Sequence, residues 1–171
     1  MDFHYVYGQV DTAVETLTLL PLSTQGLIVY GHESGQYPAQ ARMVIDAIRW
    51  ERIDPHMIVD AGAYMQERVL FSIDNFSFTR PDTAGGSFTN ELSFDIRNDS
   101  VYSFWEPTFQ VLLKRGASVV GVIPFSEKEF RAGQSRTVKI YTFADVTKVD
   151  NIDVIPTVNV FERDVYIAVG E

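Results

Sequence analysis

Two segments of the chain share one pattern of apolar and polar positions: Phe71-Ser72-Ile73-Asp74-Asn75 and Phe94-Asp95-Ile96-Arg97-Asn98. Each alternates in polarity and stops at an asparagine. Successive side chains of a strand point to opposite faces, so this alternation predicts strands with one face in a core. From Glu67 onward the pattern is regular. Val69, Phe71 and Ile73 share the inward phase of a first strand, and Phe76 and Phe78 carry apolar content past Asp74-Asn75. In the next strand Leu92, Phe94 and Ile96 point inward. Ser93, Asp95 and Arg97 point outward, up to the turn signal Asn98-Asp99-Ser100. Phe109, Val111 and Leu113 then alternate with Gln110, Leu112 and Lys114. Gly116 breaks that run and residues 119–123 resume it, which predicts a hairpin. After Ala132-Gly133, Val138 and Ile140 mark a further strand, and residues 154–161 and 165–169 complete the set. Asn151 and Pro156 predict irregular edges there. Turn signals recur about every eight to twelve residues, with no helical pattern after Glu67. The expectation is mainly β: an antiparallel, immunoglobulin-like β-sandwich over residues 66–171.

Residues 1–65 read differently, as a β-rich N-terminal extension packed on the sandwich. Residues 14–20 predict a strand ended by Pro21. Residues 27–30, between Gly26 and Gly31, predict a second, followed by a polar loop over 32–38. Residues 40–53 fit two descriptions. Ala41, Val44, Ile45, Ile48 and Arg52 recur at helical spacing, giving one amphipathic helix that ends before Pro55. Val44, Ile48 and Trp50 also fit one face of a strand, which Asp46 interrupts, so the helix is the preferred reading. Residues 57–65, with Ala61-Gly62-Ala63, predict a loop or short strand.

Charge narrows the partners. The chain of 171 residues carries 14 Lys plus Arg against 23 Asp plus Glu, a net charge of −9. Phosphate backbones and anionic bilayers repel such a surface, and no basic cluster offsets it; Lys114-Arg115 fits a solvated strand end. Nucleic acid and direct membrane insertion are therefore not expected. The acid excess is spread along the chain: residues 1–65 hold three arginines against eight carboxylates, the remainder eleven basic residues against fifteen acidic. With no cysteine, disulfides, thiolate zinc sites and a cysteine nucleophile are excluded. The segment Met1-Asp2-Phe3-His4-Tyr5-Val6-Tyr7 lacks the basic start and apolar run of a signal peptide. The expected setting is a virion particle, or a bacterial envelope or surface from which an anchor has been removed.

The stretch from Leu92 to Tyr141 supplies a family likeness. The order runs from the strand Phe94-Asp95-Ile96-Arg97-Asn98 to Phe109-Gln110-Val111-Leu112-Leu113 and Gly116. The return strand Val119-Val120-Gly121-Val122 follows, then Ala132-Gly133-Gln134-Ser135-Arg136-Thr137-Val138. It resembles the immunoglobulin-like FxLYD-type domains of bacterial envelope proteins over about fifty residues. No Leu-Tyr-Asp signature follows the glycine turn, and residues 1–65 have no counterpart in that module. The resemblance implies a non-enzymatic module in a larger assembly and carries over no site residue.

Candidate chemistry is sparse. Gly31-His32-Glu33-Ser34-Gly35 has its glycines three before and one after the serine. A nucleophile elbow needs them two before and two after, so a polar loop is the expectation. The histidines His4, His32 and His56 have no metal-ligand spacing, and no calcium loop occurs around Asp82 or Asn98-Asp99. Asp74 and Asp95 take equivalent places in the two matched strands, at the polar phase expected to face solvent. No catalytic residue, metal or cofactor is expected, and the chain is not expected to be an enzyme. The candidate partner contacts are aromatic. Phe3, Tyr5 and Tyr7 lie at strand spacing in an N-terminal arm without lysine or arginine. Tyr102, Phe104 and Trp105 lie in the loop after Asn98. The expected function is structural: protein-protein contact, by self-association or within a larger surface, envelope or virion assembly. The competing expectation is a carbohydrate-binding β-sandwich module, since exposed aromatics also stack on sugars.

Overall fold

A computed structural model describes residues 1–4, 10–28, 39–81, 89–142 and 148–168 of the chain. It is mainly β, with antiparallel sheets and one short α-helix. The chain divides into two compact units, Met1–Val59 and Asp60–Glu171.

In the second unit, α1 (Ala61–Arg68) is followed by β4 (Phe71–Thr79), β5 (Asn90–Asn98), β6 (Thr108–Arg115), β7 (Ser118–Ser126), β8 (Ser135–Thr142) and β9 (Asn151–Pro156). The first unit holds β1 (Asp2–His4), β2 (Val10–Thr12) and β3 (Gln40–Arg42). Two three-stranded sheets form the second unit, ordered β4-β5-β8 and β7-β6-β9. They share one core: Leu92, Phe94 and Ile96 of β5 and Val138 of β8 cluster with Phe109, Val111 and Leu113 of β6 and Ile152 of β9. Ring contacts cross between the sheets, with Phe71 5.0 Å from Phe109 and Phe94 5.6 Å from Phe125.

β5 follows its alternation to the end. Leu92, Phe94 and Ile96 are 0 % exposed, and the asparagines at each end of the same inward phase, Asn90 and Asn98, are also buried. β4 is less simple. It does not stop at Asn75. Asp74 pairs with Asp95 and Ser77 with Ser93, so Asn75 and Phe76 together oppose Phe94. This is a β-bulge, and Asn75 adopts the left-handed conformation it needs, with φ 55°. The extra residue inverts the face of everything after it. Phe71 and Ile73 before the bulge, and Phe76 and Phe78 after it, therefore all pack against the same core. A second irregularity between Leu113 and Lys114 lets Gly121 oppose Leu113, where a Cβ would come within 3.2 Å of the leucine Cδ1.

Asn98 ends β5 as a buried junction. Its Nδ2 donates to the Tyr102 carbonyl at 2.8 Å, and its Oδ1 accepts from the Ser100 hydroxyl at 2.7 Å and the Ser100 N–H at 3.1 Å. Its backbone exchanges bonds with the next turn, donating to Gln134 O and accepting from the Gly133 N–H. A turn signal in sequence is thus a hub that fixes two loops at once.

Several expectations are corrected. Residues 40–53 form neither a helix nor a full strand; only β3 is regular there. Their apolar residues do not keep to one stripe, since Met43 and Trp50 fall off the line of Ala41, Val44 and Ile48. An uncovered helix of this length is marginal in water. The helix lies instead at α1, where a loop or short strand was expected. Asp60 caps it by accepting from the Ala63 N–H at 3.0 Å. Val69, assigned to the first strand, caps the end of α1. Residues 14–20 form no strand. At the C-terminal end, β9 stops at Pro156, and a 3₁₀ turn over Arg163–Val165 precedes a single bridge from Tyr166 to Phe104, in place of a strand. Of the strand expected over 27–30, residues 29–30 lie outside the described residues, as does Gly31-His32-Glu33-Ser34-Gly35.

The core assignment has a direct test. Phe94→Ala should destabilise by about 3–5 kcal/mol in chemical denaturation, from lost transfer energy plus a cavity. Ser77→Ala, at an exposed position of β4, should change stability by no more than about 0.5 kcal/mol. Asn98→Ala strands the buried Ser100 and Tyr102 groups and should cost on the order of 3 kcal/mol.

Candidate interaction surfaces

The aromatic candidates are not brought together as one surface. Phe3 lies in β1, the central strand of the sheet ordered β2-β1-β3, where Asp11 and Ala41 are its partners on either side. Residues 2–4 are thus paired on both edges and leave no strand edge there for a neighbour. Tyr5 and Tyr7 lie outside the described residues. Phe104, expected to be partly exposed, is 0 % exposed and sits in a second core cluster with Val158 and Val160. Phe104 exchanges backbone bonds with Phe130, and this fixes its ring inward. Tyr102 is half-buried, and Trp105 is 41 % exposed.

Sequence reasoning missed Arg68. Its guanidinium lies 3.4 Å from the Tyr64 ring centroid and 4.3 Å from that of Tyr102. Tyr64 in turn stacks on Phe161 at 5.5 Å. Burial pushes the Tyr166 hydroxyl above the usual phenol range, and the neighbouring Tyr64 adds to the shift. That hydroxyl donates to the Val160 carbonyl at 2.7 Å. A cation over aromatic faces is attracted by the ring quadrupole, and more strongly when water is excluded. The Arg68 side chain is only 14 % exposed and its Nε is buried without a hydrogen-bond partner. The cluster therefore ties α1 to residues 102 and 161. One signal for it was in the sequence: Tyr64 and Arg68 stand four apart, one helical turn, but only within a helix placed at residue 61.

The outer face of β4-β5-β8 is polar. Asp74 and Asp95 stand directly opposite each other. Asp95 accepts from Asn75 Nδ2 and from the Thr137 hydroxyl, each at 2.6 Å. These two bonds, Asn75 first, hold the Asp95 carboxyl below the usual carboxylate range. Alongside, Lys139 donates to Glu91 at 2.8 Å and lowers that carboxyl too. Glycoside hydrolysis needs one carboxylic acid kept protonated by its surroundings, and Asp95 is pushed the opposite way. Among the described residues, no group of three or more His, Asp or Glu is placed to hold a metal ion. No helix among them is long and apolar enough to cross a membrane.

A shallow groove of about 310 Å³ lies at one end of β6 and β7, lined by Thr108, Gln110, Pro124, Phe125 and Thr157 over Phe109. Phe109 is 1 % exposed, and its ring is stacked against Phe125 at 4.8 Å. The groove therefore lacks the pair of open ring faces on which a sugar would stack.

Among the described residues, the longest exposed apolar run is a length of chain in the first unit. No residue between 39 and 60 is buried. Within it Met43, Val44, Ile45, Ile48, Trp50, Met57 and Val59 are each more than half exposed, Trp50 at 88 % and Val59 at 92 %. Seven side chains of this size present apolar area on the order of 800 Å², about what one partner gives to a standard interface. Single exposed apolar residues are ordinary, but a run of them marks a surface to be covered.

No protein-family model matches the chain, and neither a curated protein nor a solved structure matches it.

The polar face makes a pH prediction. Asp95 and Glu91 titrate lower in the folded chain than in the unfolded one. Their contribution is therefore present above the ordinary carboxylate range and lost as pH falls through the depressed values. Urea midpoints followed from neutral pH to about pH 3 should fall, and should fall less steeply for Asp95→Asn. An equal slope in both proteins would remove Asp95 from the acid response.

Proposed function

We propose that this chain is a non-catalytic structural or interaction protein that works by protein-protein contact within a surface, envelope or virion assembly. The observation that carries the reading is the exposed apolar run of residues 43–59. A run of exposed apolar side chains gains by being covered, and association is a way to cover it.

The second unit reads as the rigid part of such a subunit, an immunoglobulin-like sandwich. Its strand order supports this. β4, β5 and β8 follow the A-B-E order of that fold, and β7, β6 and β9 the C′-C-F order. The connections from β5 to β6 and from β8 to β9 pass from one sheet to the other. A fold of this kind hosts many functions, so the function rests on the exposed run and not on the topology.

Light scattering combined with binding of an apolar fluorescent dye tests the proposal. The full chain should form a defined multimer or filament, or else remain smaller and bind the dye. Ile45→Asp with Trp50→Ser should reduce whichever of these is seen. It should leave thermal stability nearly unchanged, because both positions are exposed. A chain that stays monomeric and binds no dye would have its apolar run covered internally, and the reading would fail.

A further inference from the structure

Resting on the reading of the chain as one that works by protein-protein contact, we infer that the outer edge of β8 pairs antiparallel with β8 of a second copy. A two-fold axis through the pairing joins two β4-β5-β8 sheets into one of six strands. The four sheet edges of the second unit differ in how they are closed. β4 is interrupted by the bulge at Asn75. The Glu127 N–H donates to the Pro107 carbonyl and the Thr157 N–H to the Thr108 carbonyl. By alternation from these bonds, Pro124 of β7 and Pro156 of β9 fall at positions turned away from β6, where they have no N–H to offer. On the same side of β9 the Ile152 N–H is taken by the Asn151 side chain at 2.9 Å.

β8 has neither a proline nor a bulge. The Asn98 N–H donates to the Gln134 carbonyl, in line with Arg97 opposite Ser135. Even-numbered residues of β8 are therefore turned towards β5. Ser135, Thr137, Lys139 and Tyr141 turn their N–H and C=O groups outward. All four are exposed, and β8 is the last strand of its sheet. Its two cations are closed within the chain, Arg136 on Glu127 and Lys139 on Glu91. Such an edge is a template for another strand.

Charge complementarity selects a second copy as that strand and fixes one register. A chain with net charge −9 resists contact with itself unless opposite signs meet. Centred on Val138, the pairing sets Thr137 opposite Lys139 of the second copy, and Ser135 opposite Tyr141 of the second copy. Rows across the outer face then continue from one copy into the other. Asp74, Asp95 and Thr137 share a row, and the side-chain partners of Asp95 there are neutral, Asn75 and Thr137. That row runs on into Lys139 of the second copy, one strand spacing beyond Thr137, about 4.8 Å. The row of Glu91 and Tyr141 runs on into Ser135 and Arg97 of the second copy. The two-fold axis makes each match twice. A slip by two residues loses them. In one direction Lys139 meets Lys139; in the other the two Asp74-Asp95 rows are joined.

Two measurements on the full chain test this. By light scattering the unaltered chain should show twice the chain mass or an even multiple. Thr137→Pro removes an N–H that makes no ladder bond within the chain and puts a ring in the path of the neighbour. It should remain folded by circular dichroism and associate at least about tenfold more weakly. Because the chain has no cysteine, introduced cysteines report the register whether or not the proline is tolerated. A mixture of Thr137→Cys and Lys139→Cys chains should cross-link on mild oxidation, since residues opposite each other at about 5.5 Å between Cα atoms lie within disulfide reach. Either variant alone should cross-link far less, its cysteines being diagonal neighbours at about 7–8 Å. A mixture that cross-links no better than the single variants overturns the pairing, as does a monomeric unaltered chain. Association that survives Thr137→Pro but is lost with Ile45→Asp and Trp50→Ser also overturns it, while leaving the broader interaction reading in place.

Discussion

Burial along the inner face of β5 is the contact on which both sheets of the second unit depend. β5 is the middle strand of its sheet, and its inward side chains meet those of β6 across the core. Each fully buried Leu, Phe or Ile contributes roughly 1.5–3 kcal/mol relative to exposure. No disulfide supplements that, because the chain has no cysteine. The strand also sets its neighbours' register. Phe76 and Phe78 can face the same core as Phe71 and Ile73 only if β4 spends two residues opposite Phe94, and Asn75 takes the left-handed conformation that allows this. The same asparagine then donates to Asp95 on the outer face. One residue thus reconciles the packing of the inner face with the charge arrangement of the outer one.

The two matched asparagines show what a sequence pattern carries and what it does not. Both ended an alternating run and both read as stops. Asn98 is a stop, and its amide is consumed by the turn that follows. Asn75 is a bulge inside a strand. The distinguishing signal was present: Phe71 and Ile73 have one parity, Phe76 and Phe78 the other, and only an inserted residue puts all four on one face. Strand positions in the second unit were legible because alternation maps directly onto burial. α1 was less legible because its helix depends on a cap at Asp60 and on aromatic partners far along the chain. Phe104 was misread for the same reason. Its burial is decided by Phe130, Val158 and Val160, none of which is near it in sequence.

Residues 40–53 were ambiguous for a physical reason rather than from lack of signal. Helix and strand templates each accounted for part of the apolar content, and neither accounted for all of it. Hydropathy reports that a side chain gains by leaving water; it does not report which surface will cover it. In β5 the cover comes from the same unit, and the period of two is strict. Between residues 43 and 59 no side chain is buried, and the period is lost.

The two kinds of charge arrangement in this chain divide the same way. Lys139 with Glu91, Lys114 with Asp153 and Arg136 with Glu127 are cross-strand or cross-turn pairs closed within the second unit, at 2.6 to 2.9 Å. They satisfy charges locally, and exposed pairs of this kind add little stability. The alternating series between Arg42 and Asp54 is different, because its charges stay largely exposed and are balanced only as a set. Locally closed pairs leave a surface indifferent to what approaches it. In a chain with net charge −9, the apolar run and a neutral, alternating series coincide in one segment. Covering that segment would remove exposed apolar surface from water.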